Sequence, residues 1–187
     1  MKKYILIAGV NGAGKSTLYH SFEYLQNMPR INLDDEVRKI GNWRNQRDVF
    51  NAGLTTTEKL KRLLEGEQSF NQETTLCGNA ILAHLKKAMQ NGLFIEIHYI
   101  GLDSADIAKE RVAYRVNAGG HGIPEEDIER RYRESFRKIS EFLTLADRVL
   151  FYDNSTEFRR FAVYEKGEPK VESALLPKWY IEFVKQY

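Results

Sequence analysis

The chain has 187 residues, 42% of them hydrophobic and 29% charged, a balance suited to one substantial buried core in a water-exposed protein. A formal charge of +2 argues against a nucleic-acid strand or a membrane surface as the main partner. A single cysteine, Cys77, excludes an internal disulfide, and the four histidines are scattered without metal-ligand spacing.

Met1-Lys2-Lys3-Tyr4 leads at once into an apolar run, Tyr4-Ile5-Leu6-Ile7-Ala8, which predicts a strand buried on both faces. No signal peptide and no apolar stretch near the ~20 residues of a membrane span are expected, so a reducing cytoplasm is the predicted location. Next comes GVNGAGKST, Gly9 to Thr17, which fits the phosphate-loop pattern G-x-x-x-x-G-K-[ST]. A helical pattern follows to Gln26, with Leu18, Phe22 and Leu25 on one face. Strand, glycine loop and helix in this order predict a nucleotide cradle. Unobstructed backbone N–H groups and the positive end of the helix would face the phosphates. Lys15 is expected at the β- and γ-phosphates of ATP and Ser16 on Mg²⁺. The candidate nucleotide-binding set in the loop is Gly9, Asn11, Gly12, Ala13, Gly14, Lys15, Ser16 and Thr17.

Arg30-Ile31-Asn32-Leu33 predicts a second strand ending in Asp34-Asp35, where ligands collect in an open α/β sheet; Asp35 also suits the cap of a helix starting at Glu36. Residues 41–53 give no period and predict a loop or irregular helix. Thr55 and Glu58 then have capping-box spacing ahead of Leu60, Leu63 and Leu64. Ser69 to Thr75 predicts a third strand that delivers Glu73 beside Asp34. The helix Asn79 to Gln90 buries Ile81, Leu82, Leu85, Ala88 and Met89.

The strand Leu93 to Ile100 alternates Glu96 and His98 with apolar residues, which predicts one less buried face. No aspartate closes it in a Walker B pattern, so Mg²⁺ would be held mainly by Ser16, phosphates and water. A helix capped by Asp103-Ser104 carries Arg111 and Arg115 one turn apart. Gly119-Gly120-His121-Gly122 ends it, and Pro124 opens another helix bearing Arg130 and Arg131. Two helices on a glycine hinge predict an arginine-bearing lid over residues 104–140. Arg148 to Tyr152 predicts the last core strand. A hairpin around Lys166-Gly167-Glu168-Pro169 and an amphipathic helix with Trp179, Tyr180, Phe183 and Val184 complete a C-terminal unit over residues 157–187. The expectation is one α/β domain, a three-layer P-loop NTPase sandwich with a mainly parallel sheet between helices.

Taken in order, GVNGAGKST, Asn32-Leu33-Asp34, Phe70 to Leu76, RVAYRVNAGGHGIP from Arg111, Arg130-Arg131-Tyr132 and Tyr152-Asp153-Asn154-Ser155 resemble the zeta toxin family of P-loop kinases over roughly residues 4–156. The resemblance implies transfer of the γ-phosphate of ATP to a hydroxyl of a sugar or nucleotide sugar, UDP-N-acetylglucosamine in zeta toxins. It implies Asp34 as general base, with Asp35 one residue away in register, and Glu73 as the acceptor's holder. Among lid residues on the phosphates it implies Arg111 and a second that falls at His121 or is supplied by Arg115. Thr74 and Arg131 join the candidate acceptor site and Asn154 the nucleotide site. An antitoxin protein is the implied partner. Glu73 is followed by Thr-Thr where characterised toxins carry Gly-Thr, and residues 41–68 do not match their acceptor pocket. A rival from another class is a nucleotide-binding regulatory module with little turnover.

Overall fold

The computed structural model describes residues 1–185. Its first strand, β1 (Lys3–Ala8), lies in the middle of a seven-stranded sheet, and Tyr4 to Ala8 are fully buried, as an unbroken apolar run demands of a strand covered on both faces. After the glycine loop come α1 (Lys15–Ser21) and a separate short turn of helix, α2 (Glu23–Gln26). The single helix expected up to Gln26 is therefore broken at Phe22, whose backbone is extended.

Two-residue β2 (Arg30–Ile31) leads into α3 (Leu33–Ile40). The helix begins earlier than the sequence suggested. Asn32 is its cap, accepting the Asp34 N–H through its side chain, so Asp34 and Asp35 both stand in the first helical turn, where carboxylates meet the positive end of the dipole. A second correction concerns residues 41–58. The helix α4 runs over Gln46–Glu65 with Asn45 as its cap, ten residues before Thr55. Thr55, Thr56 and Thr57 are interior residues whose hydroxyls donate to carbonyls one turn back, so the Thr55–Glu58 spacing caps nothing.

β3 (Phe70–Thr74), α5 (Ala80–Gln90) and β4 (Phe94–Gly101) follow, then α6 (Ala105–Asn117), α7 (Glu125–Leu145) and β5 (Arg148–Asp153). Within α5, Met89 is exposed, against expectation, while Ile81, Leu85 and Ala88 are buried. The chain closes with the hairpin β6 (Arg159–Glu165) and β7 (Glu168–Glu172), turning at Lys166-Gly167, and α8 (Lys178–Phe183). Gln186 and Tyr187, at the end of the anticipated C-terminal unit, lie outside the described residues.

The strand order is β2-β3-β1-β4-β5-β6-β7, with the first five parallel and the hairpin antiparallel at one edge. A mainly parallel sheet flanked by helices is thus the architecture. Placing β3 between β1 and β2 sets Glu73 opposite Ile7 and Gln72 opposite Ile31, so the carboxyl ends of β1, β2 and β3 share one edge.

β4 departs from the expected half-polar strand. Glu96 and His98 are only 5% and 2% exposed. The pair is satisfied internally: Glu96 Oε1 lies 3.0 Å from His98 Nε2, Lys3 Nζ donates to Glu96 Oε2 at 3.3 Å, and His98 Nδ1 meets Tyr152 Oη at 3.1 Å. Burial pushes the Glu96 carboxyl up, but the His98 hydrogen bond and the charges of His98 and Lys3 outweigh it and hold Glu96 below the usual carboxylate range. α8 docks by burying Trp179 completely among Tyr99, Phe136, Phe151 and Phe161, while its Nε1–H donates to Asp153 Oδ1 at 3.0 Å. Among the described residues no helix is long and apolar enough to cross a membrane.

Candidate active site

The glycine loop is shaped by close approach. Gly9, Gly12 and Gly14 all have positive φ, and Gly14 is the left-handed cap of α1. A Cβ on Gly9 would collide with the Ile100 carbonyl oxygen, and one on Gly12 would stand 2.8 Å from that of Ala108 on α6. Side chains are thereby kept out of a cradle of backbone amides, and Asn154 closes its far side by donating to the Ala13 carbonyl at 2.9 Å.

Lys15 opens α1 and is 7% exposed. Its ammonium donates to the Gly9 and Val10 carbonyls at 2.9 and 3.1 Å and lies 4.0 Å from Glu73 Oε1. Burial pushes its pKa below the ordinary lysine value; Glu73 and Asp34 oppose that shift, while Arg115 and Arg131 add to it. Ser16 and Thr17 are exposed on the first turn of α1. Among the described residues no cluster of three or more histidine, cysteine or acidic side chains could hold a metal. A magnesium ion kept by the Ser16 hydroxyl, phosphate oxygens and water suits this donor set.

Asn11, Lys15, Asp34, Glu73, Thr74 and Arg131 line one cavity of about 500 Å³ at the strand ends. A second cavity of about 620 Å³ shares Asn11, Asp34 and Arg131 with it and adds Val37, Trp43, Val49, His121 and Ile123. Asp34 therefore stands between a polar chamber beside the loop and a more apolar one beneath α4 and the α6–α7 turn. Asp35 is not brought in: its carboxylate pairs with Arg30 and Arg38, each at 3.1 Å, outside both cavities.

Glu73 is fixed by Arg30, which sequence reading did not single out, and by Asn32, which it quoted only as part of the Asn-x-Asp motif. Arg30 Nη2 and Asn32 Nδ2 donate to its Oε2 at 2.6 and 3.0 Å, leaving Oε1 toward Lys15. Arg30 in turn rests over the Tyr19 ring. The signal available for Arg30 was a charge at the start of a strand immediately before Asn-x-Asp. Gly53, Thr56 and Thr57 of α4, Gln72 and Gly78 are further wall residues not anticipated.

The arginines divide. Arg111 donates to the Gly12 and Ser155 carbonyls at 3.5 and 3.4 Å, and Arg131 to the Asn11 side chain at 3.2 Å, so both reach the loop. Arg115 carries Nε and Nη2 buried without a hydrogen-bond partner among the described residues, a donor pair suited to an anion. Arg130 is solvated at the rim, paired with Asp127 at 2.6 Å and Glu134 at 3.0 Å. His121 is set beside Asp34, its Nε2 3.5 Å from Oδ1. Burial pushes His121 below the ordinary histidine value against the pull of Asp34.

No family model matches the chain. It is 35% identical over 132 residues to an uncharacterized protein of Haemophilus influenzae, covering 70% of this chain and 92% of that one. Among solved structures, a chain of the AvrRxo1-ORF1:-ORF2 complex with ATP superposes with a TM-score of 0.75 at 12% identity over 98% of this chain, which spans 63% of that chain's length. A chain from the PezAT chromosomal toxin-antitoxin system of Streptococcus pneumoniae gives 0.63 at 17% identity, covering 84% of this chain and 71% of that one. The chain belongs to the family of the Haemophilus influenzae protein, and its fold is that of a zeta-toxin-like P-loop kinase.

Proposed function

We propose that the protein is an ATP-dependent small-molecule kinase that passes the γ-phosphate of ATP to a hydroxyl of a sugar or nucleotide sugar. The observation that carries this is the shared cavity: a phosphate loop with its lysine, and two carboxylates from neighbouring strand ends, all facing one space. A nucleotide hydrolase without an acceptor has no use for Glu73 locked by Arg30 and Asn32 at the cavity wall.

In this reading Asp34 takes the proton of the acceptor hydroxyl while that oxygen bonds to the γ-phosphorus and the bond to the bridging oxygen breaks, releasing ADP. Glu73 holds a neighbouring hydroxyl. Lys15, Arg111, Arg115 and Arg131 neutralise charge that shifts onto the phosphate oxygens. The Ser16 hydroxyl would hold a magnesium ion, which would supply further neutralisation of phosphate charge. The AvrRxo1 complex with ATP supports the donor, and the toxin-antitoxin setting of PezAT supports an antitoxin protein as partner.

The test is incubation of purified protein with γ-labelled ATP and a panel of sugars and nucleotide sugars. Label is expected in an organic product with wild type and at least about a hundredfold less with Lys15→Ala. Release of inorganic phosphate alone across the panel would contradict the kinase reading.

A further inference from the structure

His121 sits at the tip of the turn between α6 and α7, one of the two positions, with Arg115, that the resemblance offered for a second phosphate contact, yet its neighbour in the structure is the carboxylate of Asp34 at 3.5 Å. The imidazole is nine-tenths buried, with its side chain 10% exposed. Trp43 backs it at a ring-centroid distance of 5.3 Å, and a Cβ on Gly122 would lie 3.0 Å from the same indole, so the turn rests directly on Trp43. Nδ1 is buried without a hydrogen-bond partner among the described residues. An imidazole is a poor filler for such a spot, because burying an unpaired nitrogen opposes folding. What the ring offers in return is its other nitrogen beside Asp34.

We infer that His121 is a positioning residue for the base: its Nε2–H donates to Asp34 Oδ1 and turns Oδ2 toward the acceptor hydroxyl when the α6–α7 turn is seated on Trp43. This rests on the phosphotransfer reading above and adds a residue and a coupling to it. In the transfer, the hydroxyl proton passes to Asp34 Oδ2 and His121 keeps its own proton throughout. The 3.5 Å separation agrees with catalytic hydrogen bonds that are long before substrates arrive and tighten in the loaded site.

The surroundings favour a neutral ring. Arg115 on α6, Arg131 on α7 and Arg38 on α3 face His121 together with Asp34, and burial with these three cations opposes protonation. A neutral donor orients Asp34 without cancelling the charge that makes it a base. An arginine here would form a full ion pair and weaken it. Protonation of His121 at low pH has the same consequence, so the lid turn also gives the base an acid limit.

The experiment measures steady-state MgATP hydrolysis, with water in the acceptor's place, for wild type, His121→Ala and His121→Gln between pH 5 and 9. Gln keeps an N–H near the position of Nε2 but does not titrate. His121→Ala is expected to lower kcat roughly tenfold or more, on the scale of other orienting partners, with the KM for ATP within about twofold. His121→Gln is expected to recover most of kcat and to carry the acid limb of the profile to lower pH. An unchanged kcat in His121→Ala, or a glutamine variant as slow as the alanine one with its acid limb unmoved, overturns the assignment. If wild type turns over no ATP in the absence of an acceptor, which leaves the phosphotransfer reading to the labelled-acceptor test above, a direct readout replaces the kinetic one. Imidazole ¹⁵N shifts measured with a non-hydrolysable ATP analogue then decide the orienting contact. An Nε2–H tautomer that responds to Asp34→Asn supports it, and shifts indifferent to that change refute it.

Discussion

Charged groups in this protein are buried in sets that cancel, and the sets differ in purpose. Lys15 and Glu73 approach to 4.0 Å inside the cavity with arginines around them, whereas Glu96 and His98 form a closed pair with Lys3 and Tyr152 in the sheet. The second set makes a stability prediction. Glu96 in the folded protein sits below its unfolded value of about 4.3, so its contribution is fully present above that pH and is lost as pH falls through the lower folded value. The difference in urea midpoint between wild type and Glu96→Gln should therefore be constant near neutrality and shrink below about pH 4. A difference that grows on acidification would contradict the sign. At this scale the sequence was partly legible. Alternation showed which way Glu96 and His98 point, but not that helices cover that face too, because burial is set by segments far away in the chain.

At the scale of elements, β1, the glycine loop and α1 were readable because each obeys a local rule: an apolar run, glycines at positive-φ positions, then a helical face. The start of α4 was not. Phe50 and Leu54 lie one turn apart on its first half but are 65% and 57% exposed, and Gly53 stands between them, so the apolar positions do not trace a buried stripe. The cap at Asn45 was the remaining local sign, and an asparagine among Asn42, Trp43 and Arg44 reads equally well as a turn. The glycine loop is also pressed against α6, which gives a second prediction. Gly12→Ala must hold φ near +82° and push its methyl to 2.8 Å from the Ala108 carbonyl. It should cost about 1–2 kcal/mol for the left-handed backbone alone and weaken MgATP binding. Chemical denaturation and titration with a fluorescent ATP analogue read the two effects. An alanine variant with wild-type stability would mean that the loop is free to move away from α6.

For the whole molecule, the sheet order is what assembles the site. Inserting β3 between β1 and β2 brings Arg30 and Asn32 within hydrogen-bond reach of Glu73, more than forty positions along the chain. This is why Asp34 and Glu73 could be nominated from their strand-end positions while their supporting residues could not: a strand end is a local feature, and a strand neighbour is not. The far edge of the sheet depends on a different long-range event, the docking of Trp179 against β4, β5, β6 and α7. Trp179→Ala should cost about 3–5 kcal/mol in thermal or chemical unfolding, since it empties a fully buried ring's space. A loss below about 1 kcal/mol would mean that α8 contributes little to the core.

The convergence of loop and carboxylates makes its sharpest demand on Asp34, which should serve the transfer of phosphate without holding the nucleotide. The deciding measurement compares wild type with Asp34→Asn for product formation from γ-labelled ATP and for the affinity of a fluorescent ATP analogue. Transfer is predicted to fall at least about a hundredfold while affinity stays within about twofold. Undiminished transfer, or affinity lost in step with it, would contradict a base at the meeting point of these strands.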